Sequence, residues 1–201
     1  MISNTSSIHL LEWFLGMSKG NKEAFNSFYK SYYFRLKTFA FQLLKNDALV
    51  EEVVSDLFVK IWLKRETLVE IKNPQMYLYK TLRNMCLNEL RKKSLPLDVL
   101  DEEMELSSPD PSQILINKEL WSLLHAAIET LPTQRKIIFT LIREEGLKQK
   151  EVAELLNISV RTVENQLYRA MKYLTGYIET YMKKESNQNN KMNIRRFFLS
   201  F

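Results

Sequence analysis

Across residues 48–63 the apolar side chains Val50, Val53, Val54, Leu57, Phe58 and Ile61 fall at i, i+3, i+4, i+7, i+8 and i+11. A period near 3.6 places all six on one stripe, whereas the period of two in a strand would split them between opposite faces. The segment must therefore be a helix, and a helix this one-sided needs another element to cover it. The same logic extends along the chain. Helices are predicted over about 8–18, 21–45, 47–65, 75–93, 113–130, 133–145, 148–156 and 159–182, whereas no Asn-Gly or Asp-Gly hairpin and no clean alternating stretch of β-branched residues is present. The expected fold class is all-α.

Punctuation divides these helices into two sets. Pro96, Pro109, Pro111, the Ser107–Ser108 pair and a cluster of acids mark a break after Lys93. The expected organisation is a helical domain at 1–93, an acidic linker at 94–112, a second helical domain at 113–182 and a tail at 183–201. Charge follows the same division. Residues 1–93 carry 15 Lys and Arg against 9 Asp and Glu, while residues 94–117 carry no base and six acids: Asp98, Asp101, Glu102, Glu103, Glu105 and Asp110. Basic or near-neutral blocks on either side of an acidic connector suit a polyanionic partner. A solvated charge run explains the connector taken alone equally well.

Several functional classes have no support. Apolar residues make up 45% of the chain, too many for a disordered one, yet no run approaches the roughly eighteen apolar residues of a membrane span. The N-terminus has no basic lead or cleavage site, so the chain is expected in the cytoplasm. One cysteine, Cys86, and two distant histidines, His9 and His125, make neither a disulfide nor a metal site, and no cofactor is expected. Four glycines form no phosphate loop, and no catalytic constellation stands out.

Two segments carry recognition chemistry. Between Leu147 and Leu174, Val152, Ala153, Leu155 and Leu156 pattern a short helix, and Asn157-Ile158-Ser159 supplies a left-handed residue, a buried anchor and a hydroxyl cap. Val160, Val163, Leu167, Ala170 and Leu174 then line one face of a following helix. At about 100° per residue the opposite arc gathers Arg161, Thr162, Asn165, Arg169 and Lys172, with Glu164 and Tyr168 at its edge. Arginine can pair with guanine and asparagine with adenine, while Ser159 at the helix start suits a phosphate. This is a helix-turn-helix reader, the alternative being a helical hairpin with a charged outer face. Glu164 is the discordant residue, since an acid near phosphates needs a cytosine amino group or Arg161 to answer it.

The helix predicted over 75–93 divides as clearly. Leu78, Tyr79, Leu82, Met85, Cys86 and Leu90 share an apolar arc, whereas Tyr77, Lys80, Thr81, Asn84, Asn88, Arg91 and Lys92 share an arc without acids. Bases, amides and an aromatic together fit a strand of DNA. On the 48–63 helix the outer face is instead acidic, with Glu51, Glu52, Ser55 and Asp56 disposed toward a basic partner or toward water.

Taken in order, Asp47-Ala-Leu-Val-Glu-Glu-Val-Val-Ser-Asp-Leu-Phe-Val-Lys-Ile-Trp62, Tyr77-Leu-Tyr-Lys-Thr-Leu-Arg-Asn84, Leu90-Arg-Lys92, Leu131-Pro-Thr-Gln-Arg135 and the helix-turn-helix closely resemble the extracytoplasmic-function group of bacterial sigma-70 sigma factors. The likeness covers about residues 20–93 and 115–176. It implies two helical domains, the second a winged-helix-like region 4, and no separate domain between 94 and 117. It also implies binding to the clamp helices of the largest RNA polymerase core subunit through Glu51, Glu52, Ser55 and Asp56. The minus-ten element would be opened by the face containing Tyr77, Lys80, Thr81, Asn84, Asn88, Arg91 and Lys92, with Asn84 holding an extruded base and Leu68 in the loop that shapes the pocket. The minus-thirty-five duplex would meet Ser159, Arg161, Thr162, Glu164, Asn165, Tyr168, Arg169 and Lys172. An anti-sigma factor is an implied partner, a small-molecule substrate is not, and the chain would not be an enzyme. Asn157 stands where many relatives have glycine, Glu164 where a base is common, and Ser55-Asp56 where Gln-Glu is frequent. A helix-turn-helix regulator that binds operator DNA without polymerase is the competing expectation.

Overall fold

The computed structural model describes residues 3–92 and 116–185, with side chains at 9–92 and 123–181. The linker expected at 94–112 and the apolar stretch at 194–201 lie outside the described residues. Four helices form the first domain: α1 (Ser3–Ser18), α2 (Lys22–Leu44), α3 (Asp47–Leu63) and α4 (Pro74–Lys92), with a 3-10 helix at Arg65–Glu70. Four more form the second: α5 (Ile116–Glu129), α6 (Thr133–Arg143), α7 (Gln149–Leu156) and α8 (Val160–Glu185). Among the described residues there is no strand, as the periodicity requires.

Local chemistry sets the helix ends. Asn21 accepts hydrogen bonds from the amides of Glu23 and Ala24 at 2.8 and 3.2 Å, and Asn46 from that of Leu49 at 3.0 Å, answering amides that the helix leaves unpaired. Asn73 caps α4 in the same way through the Met76 amide at 3.0 Å, with Pro74 at the first helical position, where no amide is needed. In α1, Gly16 lets α2 approach so closely that an added methyl group would lie 2.8 Å from the Cβ of Ala24.

The six-residue stripe of α3 is buried throughout, packing with α2 and α4 around Phe14, Phe28, Tyr32, Phe39 and Tyr79. Phe28 meets Phe58 at 5.1 Å between ring centroids, and Phe39 meets Tyr79 edge-on at 5.1 Å. Fully burying such side chains stabilises by roughly 1.5–3 kcal/mol each, so these aromatic contacts hold both α3 and α4 against α2. The second core is aliphatic apart from Phe139: Leu124, Ile128, Ile137, Ile138, Leu141, Val152, Leu155, Val163, Leu174 and Ile178 are all buried.

One region departs from the pattern reading. The stretch after Arg65, expected as a loop, makes a 3-10 turn that sinks Leu68 completely into the first core. Six residues are too few to display a helical period, so the spacing did not tell which of the adjacent Leu68 and Val69 would be the buried one. The two domains also touch, α4 against α7 and α2 against α6.

Candidate nucleic-acid interface

In the second domain the turn is built as its residue types require. Gly146 adopts φ 71° and lets the Leu147 amide reach back to the Leu141 carbonyl at 2.9 Å, which ends α6. The Lys148 amide is answered by the Glu151 carboxylate at 2.7 Å, opening α7. Asn157 then takes the left-handed conformation, φ 59°, that asparagine tolerates, and its amide caps α7. Ser159 accepts from the Thr162 amide at 3.0 Å, so its hydroxyl is the N-cap of α8.

The Leu131-Pro-Thr-Gln-Arg135 motif has a structural role here. Arg135 donates to the carbonyl oxygen of buried Gln166 at 3.3 Å, and Gln166 donates in turn to Gln134 at 3.4 Å. These contacts tie α6 to α8 and set the rotation of the recognition helix. With Val163, Leu167, Ala170 and Leu174 buried below, Arg161, Glu164, Asn165, Tyr168, Arg169 and Lys172 are all exposed, and Thr162 is half-buried at the edge. The outer arc drawn from the sequence is thus one continuous surface.

On α4 the buried arc is Leu78, Tyr79, Leu82, Cys86 and Leu90, with Met85 half-buried. Lys80, Asn84, Asn88, Arg91 and Lys92 are exposed, and Thr81 is half-buried. Tyr77 is drawn inward, its ring edge-on to Phe14 at 6.4 Å, so only part of it faces outward. Leu68 is wholly enclosed in the first core. Lys92 is engaged by Glu89 at 2.6 Å, which holds its ammonium charged to higher pH than usual.

On α3, Glu51, Glu52, Ser55 and Asp56 all face outward. They are not equivalent. Glu51 binds Lys37 and accepts from the Tyr33 hydroxyl at 2.6 Å, contacts that hold its carboxyl below the ordinary range, Lys37 contributing most.

Glu145 was not singled out by residue pattern. This residue, just past the end of α6, is buried, and its carboxylate receives Arg35 Nε at 2.7 Å and Gln75 Nε2 at 2.6 Å from the first domain. Burial pushes its pKa up, partly opposed by Arg35. The only available signal was that two acids, Glu144 and Glu145, stand at a helix C-terminus, where the helix dipole disfavours negative charge.

Two helical domains, one of them containing a helix-turn-helix, define a DNA-binding protein. Family models agree: sigma-70 region 2 matches residues 28–95 and sigma-70 region 4 matches residues 122–174. The chain belongs to the sigma-70 family of RNA polymerase sigma factors, in its extracytoplasmic-function group. It is similar to the ECF RNA polymerase sigma-E factor of Escherichia coli (strain K12), 22% identical over 181 residues that cover 84% of this chain and 93% of the relative. It is also similar to the ECF RNA polymerase sigma factor SigE of Mycolicibacterium smegmatis, 23% identical over 151 residues covering 72% and 57%. Among solved structures, CnrH in complex with the cytosolic domain of CnrY matches with a TM-score of 0.47 at 18% identity, covering 86% of this chain and 98% of that one. A sigma factor of this group directs core polymerase to specific promoters and initiates DNA-templated transcription, and that is the function of this chain.

Proposed function

We propose that the two exposed arcs are the promoter grips of this sigma factor, α8 on the minus-thirty-five duplex and α4 on the opened minus-ten strand. The observation that carries this reading is that both arcs stand on fully buried stripes, so each presents its amides and bases on a fixed surface. The domains at 1–93 and 113–182, joined through 94–112, serve these two tasks. On α8, Arg161, Asn165 and Arg169 read base edges, Thr162 and Tyr168 supply apolar contact, and Ser159, the helix N-terminus and Lys172 meet phosphates. Glu164 sits among them and sets sequence preference by accepting from cytosine or by turning Arg161.

On α4, Lys80, Arg91 and Lys92 hold the strand, Thr81 and Asn88 border it, and Asn84 holds a base extruded from the stack, with Tyr77 contributing its exposed edge. No covalent chemistry is needed. Binding free energy from core and promoter offsets the few kcal/mol of unstacking a base. Core polymerase binds the acidic face of α3 through Glu52, Ser55 and Asp56, with Glu51 contributing less because Lys37 already answers it. An anti-sigma factor is a further partner, as membership of the extracytoplasmic-function group implies. The chain acts in the cytoplasm; no described helix is long and apolar enough to cross a membrane.

Run-off transcription with purified core tests this directly. Specific start sites that appear only with the chain present are expected. Tight duplex binding without core, and no transcription with it, would refute the proposal.

A further inference from the structure

Between Ser159 and Lys172 the only acid is Glu164, and no requirement of the fold accounts for it. Its side chain is exposed, so it plays no part in the core. It stands five residues beyond the Ser159 cap, roughly 7.5 Å along the axis at ~1.5 Å per residue, past the first turn in which the helix dipole favours an acid. The one base within a helical turn of it is Arg161, and among the described residues no ion pair includes Glu164. The nearby Thr162 hydroxyl is taken up at the cap, 2.8 Å from that of Ser159. Glu164 therefore presents an unanswered carboxylate to whatever lies across α8.

Its direction is fixed from below. Val163 is buried, and Gln166, 4% exposed, accepts from Arg135 at 3.3 Å and donates to Gln134 at 3.4 Å. The helix cannot roll Glu164 away without breaking those contacts. Facing DNA, an acid loses affinity to the phosphates, which place one negative charge about every 1.7 Å of duplex. Only a hydrogen-bond donor on a base edge offsets that loss.

The donor can be named from the chemistry of the groove. A carboxylate only accepts. Guanine shows two acceptors there and thymine an acceptor and a methyl group, so both repel it. Adenine pairs a donor with an acceptor, a pattern matched by an amide such as Asn165 rather than by an acid. Cytosine alone offers its N4 amino group with no acceptor beside it. Arg161 only donates, so the three neighbours on this arc carry three different hydrogen-bonding signatures. Arg161 and Glu164 are three residues apart, about 4.5 Å along the helix, little more than one base-pair step of ~3.4 Å.

We propose that Glu164 determines promoter specificity directly: it accepts from the N4 amino group of a cytosine in the minus-thirty-five element, within a base pair or two of the one that Arg161 reads. It works as much by rejection as by attraction, since guanine or thymine in that place sets an acceptor against a carboxylate. The inference rests on assigning α8 to the minus-thirty-five duplex, and it replaces the choice between cytosine and Arg161 with cytosine.

Selection from a pool of randomised duplex DNA by the full chain with polymerase core, read by sequencing, tests it. The wild type should enrich an upstream element with a cytosine that Glu164→Gln no longer selects, its preference falling about tenfold, the low end of a base contact, and shifting toward adenine, which suits an amide. Arg161→Ala marks the position of Arg161 independently. N4-methylcytosine gives a second readout, because the methyl group replaces the N–H that faces the major groove. At the selected cytosine it should weaken wild-type binding by about tenfold and leave Glu164→Ala, which makes no such contact, unaffected. A cytosine preference that survives Glu164→Gln, a change confined to the position of Arg161, or equal sensitivity of wild type and Glu164→Ala to the methyl group would overturn the proposal. An upstream element that is enriched but indifferent to Glu164 removes this inference alone, whereas no enriched element removes the assignment of α8 and the inference with it.

Discussion

The outward arcs of α4 and α8 are similar in kind and differ in how the rest of the molecule treats them. Each carries bases and amides above a buried apolar stripe. On α8 the six central residues are all exposed. On α4, Lys80 is held by Glu154, Lys92 by Glu89, and Tyr77 is turned against Phe14. If α4 meets unpaired DNA, as proposed, the difference has a use, since such a reader is needed only after polymerase and promoter have met. An unguarded basic face would otherwise attach to nucleic acid without regard to sequence.

The sharpest way to break the comparison is Asn84→Ala. If α4 acts on extruded DNA, promoter opening by the holoenzyme, followed by permanganate reactivity of unpaired thymines, should slow by about 10–100-fold, from losing a base contact of roughly 1–3 kcal/mol. Initial promoter binding should change little. Equal loss in both steps would make α4 a duplex reader like α8. The converse follows for α8. Arg169→Ala should weaken binding to minus-thirty-five duplex by about tenfold, the low end of a bidentate base contact, and leave the opening rate of bound complexes unchanged. Unaltered affinity would mean that DNA meets another face of the helix.

A smaller effect measures the guarding itself. Glu154→Gln removes the acid that answers Lys80 without touching either arc. The slope of log affinity against log salt, for single-stranded minus-ten DNA and the free chain, should steepen by up to about 0.7, the contribution of one more phosphate contact to a single strand. An unchanged slope would show that Lys80 is not guarded in solution.

The parts of this molecule that could be read from the sequence are those governed by one helix at a time. The α3 stripe, the α4 arcs, the Asn157 turn and the Ser159 cap each follow from spacing and residue type, and each is where the pattern put it apart from Tyr77, which turns inward against Phe14. Glu145 was out of reach for a physical reason. Periodicity tells which face of a helix avoids water, but not which polar residue meets another domain, and an acid beside a second acid reads as solvated. Leu68 was hidden because its 3-10 turn is shorter than the period that would expose it. Glu51 looked like its neighbours until Lys37, fourteen residues away and on another helix, was seen to neutralise it. Asp56→Asn should accordingly weaken core binding more than Glu51→Gln in a competition assay; the reverse order would place core on the Glu51 side of α3.

The smallest effect concerns the back of α4. Cys86 lies directly beneath the minus-ten arc and is fully buried, and burial pushes its thiol up to about 12 from an ordinary value near 9. Only the thiolate reacts with alkylating reagents, so the native thiol is protected twice, by the low thiolate fraction and by the covering core. At pH 8 its modification by a maleimide should be slower than that of the unfolded chain by about 100-fold or more, the protection expected of a group reached only by opening the core. The sign of the pH effect on stability follows. The folded state keeps its proton to higher pH than the unfolded state, so this contribution is present below about 9 and is lost as pH rises from there through about 12. Tyr32 and Tyr79, also raised by burial, work in the same direction, and the first domain should therefore lose stability in alkali before the second, in whose described core no such group is buried.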